Sequence, residues 1–412
     1  MNKPTPPNTL QDPDPSPYTS TKAEVLQAVR ENSIRRGVFF LKNLTALNLD
    51  AIIAQVEHLA MTYDMEAWRE ASAEAGIMPE ALDILDGYNP PVPYPYYFCL
   101  PNDLIATPQL VLYYRNVTMV SNKVMKNIGL DTTQYEVGVP PEADKATQIA
   151  QHLNQITSSL VLQTPLFGKR RHIEMTYSNI GASLDGSWRN EVGRLAYTTL
   201  ITPLIAHLHQ RGKLQSITYR LKGRIALADE DKESDKEKTT EVAGLCLDDL
   251  TALLSGLEER RVVYRRLDMI NGNQVLLNRQ LYWHNPDTPG RGARIGPDLI
   301  TEAAQGDQEV YPWAGELKGG ADPAGSDEHW KTATQAFNRI IDAAKQTGRP
   351  QPMLSFLATI LVDRVAKEAE LWLQQGKLTS VHNLTRIAND PNLQQAFLDQ
   401  MTAFFEAKSA KQ

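Results

Sequence analysis

The string Tyr311-Pro312-Trp313-Ala314-Gly315-Glu316-Leu317-Lys318-Gly319-Gly320 is followed closely by Asp322 and His329, so a carboxylate, a lysine, a histidine and a further acid share one short stretch. On a strand the side chains alternate between faces; Glu316 and Lys318, two positions apart, therefore point the same way and can share one metal ion and one water. Asp298, in a Pro297-Asp298 pair, lies eighteen positions before Glu316, enough chain for a hairpin that brings the two carboxylates together. An Asp and a Glu converging on magnesium, with a lysine beside the water to be activated, suit phosphodiester hydrolysis: the metal neutralises charge developing on the phosphate oxygens and Lys318 stabilises a bound hydroxide. A lone E-x-K is common as solubilising charge on a strand. Here the pair sits between an apolar run and two glycines, after a P-D at workable spacing, and ahead of a helix and another buried strand.

The surrounding pattern supplies the elements that such a hairpin needs. Short β-like runs, Val262-Val263-Tyr264 and Val275-Leu276-Leu277, flank the turn Asn271-Gly272-Asn273. Arg291 to Ile300 leads into a strand and Val310 to Leu317 makes another. Asp327 to Lys345 reads as a helix with Trp330, Thr334, Phe337, Ile340, Ile341 and Ala344 on its inner face, and Ser326 is placed to cap its start. Met353 to Val362 reads as a buried strand, followed by a helix around Ala366 to Gln375.

Upstream, residues 1–18 are proline-rich and predict a flexible arm, and amphipathic helices run from Lys22 to about Leu85. The proline and aromatic stretch Tyr88 to Phe98 is an extended loop that packs against the helices more readily than it stacks on bases. Val111 to Arg115 fits a helix or a strand, and Ala146 to Leu162 a helix. A basic run, Gly168-Lys169-Arg170-Arg171-His172, follows; Asp185 to Arg194 reads as a turn feeding a helix that continues through Leu208, with Glu191 in its first turns. Asp229 to Lys238 is a solvated mixed-charge loop and Cys246 to Arg260 a helix. The division expected is an arm at 1–18, a mainly helical DNA-embracing region at 19–165 and a catalytic domain at 166–412.

A chain of 412 residues with 42% hydrophobic content can bury a large core. The net charge of −7 argues against indiscriminate coating of nucleic acid, which draws its affinity from phosphate neutralisation, and leaves room for an enzyme with a local basic surface. Nothing in the sequence reads as a signal peptide or a membrane span, so the protein is expected in the cytoplasm with no membrane partner. Cys99 and Cys246, far apart, read as buried free thiols. The imidazoles of His207 and His209 fall on different faces of a helix and form no metal site.

In these motifs the chain resembles the PD-(D/E)xK nuclease superfamily, in particular the type II restriction endonucleases of the AvaI/BsoBI/XcyI branch, which the text D-P-A-G-S-D-E-H-W-K-T after E-L-K is similar to. The resemblance covers mainly 290–345, with looser support from Trp188 to Arg194. It implies an α/β nuclease core with a mixed central sheet flanked by helices, Asp298 and Glu316 as Mg2+ ligands, Lys318 as third catalytic residue, and His329 as general base or orienter of the water. The branch has a longer interval between its first acid and the E-x-K, so Asp287 competes with Asp298, which the P-D context favours. Glu191 is a possible accessory acid, or an ordinary helix-surface residue. Asp322 can accept from the N4 amine of cytosine, or simply turn the chain before Pro323. Arg291, Arg294, Lys169, Arg170, Arg171 and Lys331 are candidate phosphate contacts, each otherwise a solvated surface residue.

The activity implied is Mg2+-dependent cleavage of double-stranded DNA at a C/G-rich palindrome, leaving 5′-phosphate and 3′-hydroxyl ends, by a bacterial homodimer paired with a methyltransferase acting on the same site. A structure-specific repair or recombination nuclease and a non-cleaving DNA-binding protein are the alternatives.

Overall fold

A computed structural model of the protein describes residues 16–164, 166–221, 236–284, 292–303 and 310–408. Asp287, Arg291, most of the proline-rich arm and most of the mixed-charge run at 229–238 lie outside the described residues. By contacts, the chain divides inside two long helices, Lys22–Leu47 and Arg171–Gln210, at 35/36 and 190/191.

The unit that holds the E-x-K is a large mixed sheet clothed by helices. Its strands are β1 (Leu214–Leu221), β2 (Lys238–Glu241), β3 (Val262–Met269), β4 (Gln274–Leu277), β5 (Leu281–His284), β6 (Gly292–Ile295), β7 (Leu299–Ala303), β8 (Val310–Lys318), β9 (Met353–Ala358) and β10 (Ser380–Asn383). Eight of them form one sheet in the order β10-β9-β8-β7-β4-β3-β1-β2, while β5 and β6 make a separate two-stranded ribbon. The β3–β4 hairpin turns at Gly272, whose φ of 88° is the left-handed geometry that the Asn-Gly-Asn signal demands. Antiparallel β7 and β8 pair Leu299 with Gly315 and Ile300 with Ala314. From β8 the chain crosses through helix Ser326–Thr347 to β9, which runs parallel to β8; helix Asp363–Gln374 then leads to β10, parallel to β9.

Because β8 is central and covered on both faces, seven consecutive residues, Tyr311 to Leu317, are buried, and no polar alternation shows. Trp313 and Leu317 enter one core with Leu204, Leu208, Leu254 and Phe404. Ala314 enters the other, with Phe356, Trp330, Phe337 and Ile340 from β9 and the crossover helix. Helix Ser326–Thr347 buries the face expected of it, except that Ala333 and Ala343 are more deeply buried than Thr334 and Ile341. Ser326 is its first helical residue instead of its cap; Gly325 takes the N-cap position and contributes no side-chain bond.

The second unit, 36–190, is helical in its regular structure, with helices such as Leu49–Thr62, Leu110–Val117 and Ala143–Gln163. The aromatic loop is packed inside it: Tyr94, Tyr96, Tyr97 and Phe98 are buried, and the Tyr96 ring stacks on His172 at 4.2 Å between centroids. A buried ion pair, Arg115 Nε to Glu136 Oε1 at 2.6 Å and Nη2 to Oε2 at 2.9 Å, is satisfied in bidentate fashion.

Two further expectations are overturned. No turn interrupts 185–187: Arg171–Gln210 is one helix of 40 residues, in which Asp185 accepts from Arg189 one turn on. Gly186 weakens such a helix without breaking it. Cys246 is exposed, not buried, and caps helix Leu247–Glu259 through Sγ, which accepts from the Asp249 N–H; Cys99 is buried as expected. Among the described residues no single helix is long and apolar enough to cross a membrane; Lys22–Leu47 and Leu49–Thr62, bent by 42°, reach that length and apolarity only taken together.

Candidate active site

Asp298 immediately precedes β7 and Glu316 lies near the end of β8, so the antiparallel register that pairs Leu299 with Gly315 sets the two acids side by side. Asp298 Oδ2 accepts the main-chain N–H of Leu317 at 2.8 Å, which fixes the carboxylate against β8. Lys318 Nζ stands 2.9 Å from Glu316 Oε2 and 3.6 Å from Asp298 Oδ2. The hairpin predicted from the spacing thus brings Asp298, Glu316 and Lys318 together.

Glu316 is only 3% exposed. Burial, reinforced by the negative charge of Asp298 and only partly offset by Lys318, raises its pKa from 4.5 to about 8. Lys318 is pulled down by burial, but the two carboxylates outweigh that and its pKa ends above the ordinary lysine value. Glu316 Oε1 is buried and accepts no hydrogen bond from the described residues. A buried carboxylate oxygen without a donor is costly unless a cation takes it. Among the described residues no group of three or more His, Cys, Asp and Glu side chains is arranged to hold a metal. Two acids are nonetheless a fitting set for magnesium, which keeps several waters and takes its other oxygens from a phosphate.

His329, in the first turn of helix Ser326–Thr347, lies over Gly320: a Cβ built on that glycine would come within 2.1 Å of the imidazole Cε1. The imidazole therefore lies over the residue two past Lys318, where a non-glycine side chain would displace it. Its pKa is lowered, by burial first and by Lys318 second, so the ring is neutral near pH 7 and free to accept a proton. Gly319 is constrained too, since its Cβ would meet Ala196 Cβ at 2.4 Å and the Val192 carbonyl oxygen at 3.2 Å.

The other candidates are placed less uniformly. Asp322 is exposed and its carbonyl accepts from the Gly325 N–H at 3.1 Å, the turn role. Arg294 on β6 and Lys331 on the crossover helix are exposed. Lys169, Arg170 and Arg171 are exposed residues of the helical unit, Arg171 paired with Glu174. Glu191 is committed elsewhere: Oε1 accepts from Arg194 Nη2 at 2.7 Å and Oε2 from Arg261 Nη2 at 2.7 Å. Burial would raise its pKa, but those guanidiniums hold it below the usual glutamate value. Its carboxylate anchors a helix to the start of β3 and is not bonded to Asp298, Glu316 or Lys318.

Sequence reasoning missed Tyr197, whose hydroxyl donates to the main-chain oxygen of Asp298 across 101 positions of sequence. The same oxygen accepts from the Asn278 N–H at 2.8 Å. No local signal marks either residue, because each meets Asp298 only through the tertiary fold.

Residues 293–395 match the family model described as "Restriction endonuclease BsobI". The chain is 42% identical over 91 residues to the type II restriction enzyme BsoBI of Geobacillus stearothermophilus, covering 22% of this chain and 28% of that enzyme. It is 43% identical over 77 residues to the type II restriction enzyme AvaI of Nostoc sp. and of Anabaena variabilis, covering 19% of this chain and 24% of each. The chain thus resembles the AvaI/BsoBI branch over the segment that holds Asp298, Glu316, Lys318 and His329, and the matched segment spans about a quarter of the length of those relatives.

Proposed function

We propose, taking the likeness to the BsoBI and AvaI enzymes as premise, that this chain is a site-specific endonuclease of the PD-(D/E)xK type that cuts both strands of duplex DNA with Mg2+, leaving 5′-phosphate and 3′-hydroxyl ends. The observation that carries the reading is the buried, donor-free oxygen of Glu316 beside Asp298 and Lys318, inside the matched segment. Asp298 and Glu316 would hold the cation. When bound, magnesium supplies charge neutralisation at the scissile phosphate and a more acidic water. Lys318 steadies the negative charge of hydroxide and phosphate, and is cationic across the neutral range because two carboxylates face it. His329, neutral and held over Gly320, takes the proton of the attacking water or orients it.

Asp322 is proposed to read cytosine N4 in a C/G-rich palindrome. Arg294, Lys331, Lys169, Arg170 and Arg171 are proposed to contact phosphates, as is Arg291; Arg291 and Asp287, the competitor of Asp298 for the first-acid position, lie outside the described residues. A palindrome is matched by a twofold assembly, hence a homodimer, and a bacterial host would protect the same sequence with a methyltransferase.

The test is digestion of a fully sequenced, unmethylated phage DNA with magnesium or with EDTA, beside Lys318→Ala. Discrete fragments requiring both magnesium and Lys318 are expected, and their ends give the target. Cutting confined to branched DNA would favour a repair nuclease, and intact DNA bound equally by wild type and Glu316→Ala would leave a non-cleaving binder.

A further inference from the structure

We infer that Tyr197 is a positioning residue for the first acid: its hydroxyl sets the Asp298 peptide, and through it the spacing between the Asp298 and Glu316 carboxylates that a divalent cation requires. This rests on the proposed reading of those acids as metal ligands. Among the described residues Asp298 has no strand partner of its own, since the β7–β8 pairing begins at Leu299. Its carbonyl is instead pinned from two sides, by the Asn278 N–H and by the Tyr197 hydroxyl, while its carboxylate reaches across to the Leu317 N–H. Two bonds hold the peptide and one holds the side chain, whose Oδ2 lies 3.6 Å from Lys318 Nζ.

The helix that carries Tyr197 also touches the other end of the site. Val192 and Ala196 press on Gly319, directly after Lys318, at distances that leave no room for a Cβ. One helix face therefore contacts the residue before β7 and the residue after β8, the two chain ends on which the acids and the lysine are mounted. Packing through Ala196 sets where β8 ends, and the directional bond from Tyr197 sets where β7 begins. A partner that acts through a ligand's own hydrogen bond commonly governs metal affinity by about 10- to 100-fold when removed.

The experiment is calorimetric titration of Ca2+, in place of Mg2+, into wild type, Tyr197→Phe and Glu316→Gln, with thermal unfolding of each apo-protein and the magnesium dependence of cleavage. Phenylalanine keeps the ring and removes one oxygen. A Ca2+ Kd raised about tenfold or more in Y197F, together with a cleavage midpoint moved to higher magnesium and recovery of rate at saturating magnesium, is the expected result. Wild-type Ca2+ affinity in Y197F overturns the inference while leaving the metal reading intact, and a lowered melting temperature with unchanged affinity does the same by making Tyr197 merely structural. Absence of Ca2+ binding by the wild type, or equal binding by E316Q, overturns the metal reading and this inference with it.

Discussion

At the scale of single residues, the site is a contest between burial and charge, and the contest has measurable consequences. The fold favours the proton on Glu316, so this group contributes stability that is present below its ordinary pKa of 4.5 and lost as pH rises towards about 8. The apo-protein is therefore expected to melt lower at pH 8 than at pH 5.5, and Glu316→Gln to flatten that decline; equal slopes in the two proteins would refute the assignment. The same proton competes with a cation, so Ca2+ affinity should climb through this window by up to about tenfold per pH unit, again only in the wild type. Glu316→Gln should also reduce magnesium-dependent cleavage by about a thousandfold, the loss expected when several kcal/mol of transition-state charge stabilisation disappear.

At the scale of elements, the glycine pair Gly319-Gly320 is where β8, the long helix and the crossover helix meet. Gly320→Ala pushes a methyl group into the His329 ring, which sits 2.1 Å from the ideal Cβ position, and is expected to lower the cleavage rate far more than the stability. Gly319→Ala meets Ala196 Cβ and the main chain of Val192 and should cost about 1–3 kcal/mol as overpacking, read as a lowered denaturant midpoint. Gly186 behaves oppositely. It lies within helix Arg171–Gln210 with open space around its Cβ position, so Gly186→Ala should stabilise by about 0.5–1 kcal/mol without altering cleavage.

At the scale of the molecule, a net charge of −7 means that the DNA affinity proposed for it has to come from local basic surface. Replacing Lys169, Arg170 and Arg171 together by alanine is expected to make the slope of log K against log salt shallower by about 2–3 if all three reach phosphates, and to leave it unchanged if they do not. Acid sensitivity is also distributed. His172 and His382 are buried and neutral, burial lowering both pKa values from 6.5 to about 4. Their share of stability is present above pH 6.5 and lost as pH falls towards 4, so His382→Asn should flatten the acid limb of the unfolding profile.

The sequence by itself determined what is periodic or local: the amphipathic helix behind Trp330 and Phe337, the Asn-Gly-Asn hairpin, the β7–β8 interval that spaces Asp298 from Glu316, and the shared face of Glu316 and Lys318. Each follows from backbone geometry over fewer than about twenty residues. Strands such as β1 and β10 escaped, because their burial is conferred by neighbours distant in the chain, and β2 escaped because it is largely exposed and carries no apolar alternation. The 40-residue helix was misread at Asp185-Gly186, where local turn propensity lost to helix continuity. Only the tertiary structure decided that Glu191 would spend its charge on Arg194 and Arg261, that His329 would lie over Gly320, and that Tyr197 would reach Asp298, since hydrogen bonds and desolvation depend on which surfaces meet and not on the order in which residues are joined.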